Sequence, residues 1–276
     1  MTLTIHDGTT LHNGIVMPWL GLGVFKVPDG EQVENAVKAA VELGYRSIDT
    51  AAIYNNEPGV GRAVRQCGVP RDQLFVTTKL WNADQGYDSG LRAFDASLER
   101  LGMDYVDLYL IHWPVKGKYK DSWRALEKIY ADGRARAIGV SNFLVHHLED
   151  VMADAKVMPM ANQVEFHPRL VQPQLLGFCN RHRIQLEAWS PLMQGRVFDI
   201  PELGRIAQAH GRTVSQVVLR WNIQKGVVTI PKSVHRERIA ENAGIFEFHL
   251  SDDEMKRIDA LDANQRIGPD PDHVDF

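Results

Sequence analysis

Short apolar runs recur along the chain at "WLGLGVF", "YRSIDT", "LFVTTKL", "YVDLYLIHW", "ARAIGVSN", "PMANQVEF", "IQLEAWS" and "VVTIPKS". Each is continuous in apolar residues instead of strictly alternating, which predicts strands of a parallel sheet buried on both faces. The seven gaps between them hold segments with helical spacing, such as "EQVENAVKAAVELG", closed by Gly44, and "WRALEKIYADG", closed by Gly133. Eight strands alternating with helices is the number that closes a barrel filled by side chains. The pattern predicts an α/β protein, a single (β/α)8 TIM barrel domain over residues 1–276, with no linker-like stretch to divide it. Ahead of the barrel, "LTIHDGTTLHNGIVM" alternates apolar and polar residues around the turn dipeptides Asp7-Gly8 and Asn13-Gly14, which predicts an N-terminal β-hairpin. The closing "RIGPDPDHVDF" is polar and Pro-rich and reads as a C-terminal tail wrapping the surface.

Composition narrows the classes of function. At 44% hydrophobic and 24% charged residues, the chain has the balance of a soluble globular protein with a sizeable core. A formal net charge of −4 with no basic tract argues against a nucleic-acid binder or a membrane-surface protein. No window approaches the roughly 20 apolar residues that a membrane helix needs. The start "MTLTIHDGTTLHNG" lacks a basic segment followed by an apolar run, so a cytoplasmic location is expected. Cys67 and Cys179 stand far apart in no CxxC pattern, which reads as two free thiols in a reducing compartment. No metal is expected. There is no HExxH or clustered Cys/His pattern, and His146 and His147, being adjacent, do not share a helical face.

The glycine pairs in "GLGVF" and "GVGRAV" lack the third glycine in register between strand and helix, so neither is a Rossmann fingerprint. In an eight-stranded α/β barrel, chemistry sits at the carboxyl ends of the strands. The stretch "RSIDTAAIY" puts Asp49 at the end of the second strand and Tyr54 just beyond it. The third strand ends at Lys79, the fourth at His112 and the fifth at Ser141 and Asn142. The sixth supplies Asn162, Gln163 and Glu165; the seventh ends at Trp189 and Ser190, the eighth at Lys232 and Ser233. Taken singly, Asp49 reads as a helix cap, Lys79 as a side chain reaching solvent and His112 as a satisfied core histidine. Taken together, an acid, a phenol, a lysine and a histidine after three successive strands converge at one rim.

Their chemistry fits one task. A free tyrosine has a pKa of roughly 10, and a lysine cation beside the phenol favours phenolate. A buried lysine loses its proton unless a carboxylate holds it charged, which gives Asp49 a purpose. A neutral His112 can hydrogen-bond a carbonyl oxygen and orient it. A second cluster stands in "KSVHRER", which follows the last strand and enters a helix. A helix N-terminus disfavours cations, yet Lys232, Arg236 and Arg238 crowd this one, with Ser233 able to cap it. Cations placed against the dipole imply an anion between them.

The stretches "GYRSIDTAAIYNNE", "TTKLWN", "DLYLIHWP", "IGVSNF", "NQVEFHP", "AWSPL" and "IPKSVHRERIAEN" resemble, in order, the successive signatures of the aldo-keto reductases, over nearly the whole chain. Within that family the chain resembles short microbial members, including glyoxal and methylglyoxal reductases, diketogluconate reductases and protozoal prostaglandin F synthases. The resemblance implies a tetrad of Asp49, Tyr54, Lys79 and His112, with hydride passing from NADPH to a carbonyl carbon and Tyr54 protonating the oxygen. It implies that Ser141, Asn142 and Gln163 hold the nicotinamide carboxamide and that Trp189 stacks on the ring, where many relatives have tyrosine. Ser190, Leu192, Ser233 and Val234 would complete the cofactor site. Lys232 and Arg238 match the family's grip on the adenosine 2′-phosphate, which implies NADP(H) over NAD(H). Arg236 matches no fixed position and reads as a solvated side chain, and Glu241 and Asn242 would meet the adenine.

Val24, Phe25, Trp81 and Trp113 stand beside the tetrad and would form an apolar substrate wall with His112, although core packing explains Trp81 or Phe25 equally well. The loop from Pro114 to Asp121 carries Lys116, Lys118 and Lys120, either to attract anionic substrates or simply as a solvated face. Its shortness implies an open, permissive site. The resemblance makes small dicarbonyls the first expected substrates, with diketogluconate and other keto sugars, β-keto esters and prostaglandin H2 left open. Two other classes remain. Lys79 could serve as the Schiff-base lysine of an aldolase, or the barrel could be a cofactor-sensing module without turnover. A monomer is expected.

Overall fold

The computed structural model describes residues 3–274. Strands β1 (Gly8–Thr10) and β2 (Val16–Pro18) form the antiparallel hairpin, with Thr9 opposite Met17. Its turn is made at Asn13-Gly14, where Gly14 takes φ 88°; Asp7-Gly8 leads into the first strand, which Gly8 begins, instead of turning the hairpin. Each of the eight apolar runs then contains a strand. These are β3 (Gly21–Gly23), β4 (Ser47–Asp49), β5 (Phe75–Leu80), β6 (Val106–Ile111), β7 (Ala135–Ser141), β8 (Ala161–Glu165), β9 (Gln185–Trp189) and β10 (Val228–Thr229). They pair in chain order, every pairing parallel. Parallel bridges from Leu20 to Thr229 and from Gly23 to Lys232 join the first strand to the last and close the barrel. All residues of β5, β6 and β8 are buried, which is why these runs are not alternating.

Each of the first six gaps holds one α-helix: α1 (Glu31–Glu42), α2 (Glu57–Gln66), α3 (Tyr87–Leu101), α4 (Tyr119–Ala131), α5 (Val145–Asp154) and α6 (Pro173–His182). The last gap holds two, α7 (Pro201–His210) and α8 (Val214–Gln224), and α9 (Arg236–Ala243) and α10 (Asp252–Asp259) follow β10. On α1 the buried positions are Val33, Ala36, Val37, Ala40 and Val41, the inner face of a 3.6-residue repeat. Burying each valine contributes about 1.5–3 kcal/mol. The helix stops where Gly44 adopts φ 97°, a left-handed conformation that glycine takes without a Cβ penalty. The glycines of "GVGRAV" serve packing: a Cβ at Gly61 would collide with the carbonyl of Leu101 at the end of α3.

The hairpin covers the N-terminal mouth of the barrel. Thr9 Oγ1 donates to Gln185 Oε1 at the start of β9 (2.9 Å), and Asn13 Nδ2 donates to the carbonyl of Arg136 near the start of β7 (2.9 Å). The opposite rim, where the strands end, is left for chemistry. Part of the tail crosses that rim: the amides of Ile267 and Gly268 donate to the two oxygens of Glu165, at 2.6 and 3.0 Å. Cys67 and Cys179 are both free thiols. No helix among the described residues is long and apolar enough to cross a membrane.

Candidate active site

Asp49 closes β4, Lys79 is the penultimate residue of β5, and His112 follows β6 directly, so adjacent parallel strands bring the three together. Tyr54 ends the short 3-10 turn after β4, Ala52–Tyr54. The Lys79 side chain is fully buried, and its Nζ donates to Asp49 Oδ1 at 2.7 Å and to the Thr50 carbonyl at 2.9 Å. The same ammonium hydrogen-bonds the Tyr54 side chain and lies 5.1 Å from its ring centroid. The His112 ring stands 5.8 Å from that of Tyr54 and 5.3 Å from that of Trp81, edge-on to both.

Burial alone favours a neutral lysine, but Asp49 and the other charges outweigh it, and the Lys79 pKa lies above its ordinary value. Lys79 is therefore an ammonium. His112 is driven the other way: burial, then the Lys79 charge, hold it well below its ordinary value, so the ring is neutral and carries a single N–H. Tyr54 departs from the sequence expectation. The Lys79 cation does pull its pKa down, but burial of the hydroxyl pushes it up by more, with Asp49 and Glu187 adding to the rise. The net direction is upward. Lysine here moderates the effect of burial and does not leave a phenol more acidic than free tyrosine.

The residues expected around a nicotinamide also meet at this rim. Asn142, at φ 65°, donates through Nδ2 to the His112 carbonyl at 2.9 Å and accepts from Trp189 Nε1 at 2.8 Å. Ser141 Oγ donates to the carbonyl of Gln163 at 2.8 Å. Gln163 Nε2 donates to Asp49 Oδ2 and to Glu187 Oε2, both at 2.7 Å. Trp189 is held from a second side by Gly268, whose backbone lies against the indole edge. Ser190, at φ 49°, and half-buried Leu192 continue this rim after β9.

At the last strand, Lys232 and Arg238 are exposed, and their side chains make no hydrogen bond or ion pair among the described residues. Arg236 instead pairs with Glu42 at 2.5 Å. Ser233 does not cap α9, whose N-cap is His235; its Oγ accepts from the His235 amide at 3.1 Å. Half-buried Val234 packs on the core beside it. Asn242 is buried, and Glu241 accepts from Thr213 Oγ1 at 2.8 Å.

The expected substrate wall is only partly at the mouth. Val24 is 0% exposed and packs within the core, so it does not face the site opening. Phe25 is 51% exposed, its ring 4.9 Å from that of Tyr54, and Ile53, the chain neighbour of Tyr54 and not singled out from the sequence, is exposed too. Trp113 is buried, only 7% exposed, and its carbonyl accepts from Gln85 Nε2 at 2.7 Å. Lys120 is committed to Asp150 at 3.1 Å and Asp154 at 2.5 Å, which removes it from any substrate-attracting loop.

Three features were missed or misread. Glu187 lies wholly buried under the tetrad; an acid inside the apolar run "IQLEAWS" was the available signal, since a buried carboxyl needs a partner. Glu165 belongs to the tail and to His167, 2.8 Å away, and not to the tetrad. His146 and His147 do converge despite being adjacent: both approach Asp272 Oδ1, at 2.9 and 3.4 Å. Burial and His146 push the His147 pKa down to about 4, so the ring is neutral. Its Nδ1 accepts from the Leu144 amide, which leaves the hydrogen on Nε2, facing Asp272. The group clasps the tail.

Residues 19–263 match the model of the aldo/keto reductase family. The chain belongs to that family. It is 59% identical to the glyoxal reductase of Bacillus subtilis, over all of both chains. It is 53% identical to the 9,11-endoperoxide prostaglandin H2 reductase of Trypanosoma cruzi, over 97% of this chain and 96% of that one. Among solved structures, a Gox0644 mutant in complex with NADPH superposes with a TM-score of 0.91 at 45% identity, over 97% of this chain and 98% of the other. As an aldo-keto reductase this chain is an oxidoreductase built on the barrel described above.

Proposed function

We propose that this aldo-keto reductase uses NADPH to reduce small aldehydes and ketones, with short dicarbonyls such as glyoxal and methylglyoxal first among them. The observation that carries the reading is Lys79, a buried ammonium bonded to Asp49 on one side and to Tyr54 on the other, with the neutral ring of His112 facing the same phenol. The similarity to a glyoxal reductase supports the dicarbonyl choice, and similarity to a prostaglandin H2 reductase keeps bulkier substrates in view.

The rim residues fit a nicotinamide dinucleotide. The oxygen of Gln163, with both hydrogens of its NH2 group already donated, is an acceptor suited to a carboxamide. Trp189, fixed by Asn142 and backed by Gly268, is a rigid face suited to stacking. Lys232 and Arg238, whose side chains pair with nothing among the described residues near the start of α9, suit a 2′-phosphate. When bound, NADPH supplies the hydride that the carbonyl carbon receives. The neutral His112 donates its N–H to the carbonyl oxygen and orients it. Tyr54, protonated near neutrality, gives its proton to that oxygen as negative charge grows there, and the Lys79 ammonium stabilises the phenolate left behind. Asp49 keeps Lys79 charged throughout.

An aldolase role fares worse, because a Schiff-base lysine needs a depressed pKa and Lys79 has a raised one. The test is NADPH consumption with a panel of glyoxal, methylglyoxal, keto sugars and β-keto esters. If no carbonyl accelerates it above an enzyme-free control, the reading is lost.

A further inference from the structure

Glu187 stands on β9 at 0% exposure, in a strand that is otherwise largely apolar. Its Oε2 accepts from Gln163 Nε2 at 2.7 Å, and its Oε1 has no hydrogen-bond partner among the described residues. The same amide nitrogen donates to Asp49 Oδ2, also at 2.7 Å, so one NH2 group joins two buried acids. A carboxylate with an oxygen unbonded by the protein in a buried interior is costly, whereas a neutral carboxyl group is far less so. The charge count agrees: the single ammonium at this depth, Lys79, is already matched by Asp49. On the adjoining strands, β10 offers only Val228 and Thr229, and β8 offers the neutral Gln163 and Glu165, whose oxygens are taken by His167 and the amides of Ile267 and Gly268. Asp49 and Lys79 are the charged groups that act on Glu187.

We propose that Glu187 is a positioning residue held as a neutral acid, which pins the Gln163 amide so that its oxygen is left for the nicotinamide carboxamide, and whose ionisation restrains Tyr54 as a base in alcohol oxidation. The second half rests on the carbonyl-reductase reading; the first does not need turnover. Burial, then the Asp49 charge, push the Glu187 carboxyl up to about 8, against the Gln163 bond and the Lys79 charge. Once ionised, Glu187 adds an unmatched negative charge that raises the Tyr54 pKa and favours the Lys79 cation. Phenolate is the form that must take the proton from an alcohol, so ionised Glu187 opposes the reverse reaction.

The sign on stability follows. The folded protein keeps this proton to higher pH than the unfolded chain, whose glutamates release theirs near 4.5, so stability is lost as pH rises from 4.5 toward about 8 and then levels off. The experiment is Glu187→Gln, read in two ways. In thermal melts across that range, the melting temperature of E187Q gains on wild type as pH climbs and the gap holds constant above it. In alcohol oxidation with NADP+, the rise of rate with pH moves to lower pH in E187Q, and the basic fall of carbonyl reduction moves with it. Melting curves that stay parallel across the range overturn the proposal. So does a variant that is merely slower, with both pH profiles unmoved, since that is the behaviour of a packing residue. Should E187Q not fold, infrared spectra of the wild-type protein labelled with 13C-glutamate decide the matter. A protonated glutamate carboxyl band at neutral pH that vanishes on further alkalinisation supports it, and no such band at neutral pH overturns it. Melting and infrared need no catalysis, so a protein inactive toward every carbonyl would sink the reductase reading alone.

Discussion

Asp49 and Lys79, 30 residues apart in the chain, form a buried ion pair at 2.7 Å with the lysine side chain fully enclosed. An isolated buried ion pair adds little stability once desolvation is counted. Its value here is the fixed positive charge it sets against the Tyr54 phenol, in a site where little water screens it. The pair therefore belongs to chemistry more than to folding.

Replacing Tyr54 by phenylalanine removes the proton donor and leaves the Asp49–Lys79 pair in place. Carbonyl reduction is expected to fall by about 10²–10⁴-fold. NADPH affinity, measured by quenching of tryptophan fluorescence, should change little. Retention of most of the activity would exclude Tyr54 as the acid.

The Arg238 side chain makes no hydrogen bond or ion pair among the described residues, so Arg238→Ala breaks none of theirs. Loss of one charge-assisted bond to a phosphate predicts roughly tenfold to a hundredfold weaker NADPH binding, with NADH binding little altered. Titration calorimetry with both cofactors distinguishes this from a general loss. Equal weakening of the two would mean that the 2′-phosphate lies elsewhere.

Gly268 presses on Trp189 while its amide is held by Glu165. A Cβ there would collide with the indole, so Gly268→Ala should displace Trp189 and raise the KM for NADPH, visible also as a shifted tryptophan emission. The tail contact is acid-sensitive as well. Burial pushes the Glu165 pKa up, but His167 and the amides of Ile267 and Gly268 more than offset it, and the net direction is down. Its contribution is thus present above the ordinary value of 4.5 and lost as pH falls through the lower folded value. Hydrogen exchange at Ile267 and Gly268 should accelerate there, and in Glu165→Gln at neutral pH.

Asp107 is a structural counterpart far from the tetrad. It is fully buried on β6, accepting from Arg71 at 2.7 Å, Arg136 at 2.9 Å and the Val76 amide at 2.9 Å. Asp107→Ala should cost about 3 kcal/mol in urea unfolding, the lower end for a broken buried pair because both arginines can reach solvent. Turnover per folded molecule should be unchanged.

Much of this was open to reading in the chain. The eight apolar runs located every barrel strand, and the rim residues Asp49, Lys79 and His112 followed from their places at strand ends. Local patterns sufficed because burial on both faces and helical repeats are written in residues a few positions apart. Folding decided what depends on distances between remote residues. Gln163 bridges to Asp49 from 114 positions away, Glu187 meets it from the neighbouring strand, and Gly268 and Asp272 reach Trp189 and the His146–His147 pair only when the tail folds back. Even the direction of the Tyr54 shift was a tertiary result. Residue types alone announce the attraction to Lys79, but the opposing cost of burial depends on how deeply the hydroxyl is placed, and depth is a property of the packed molecule.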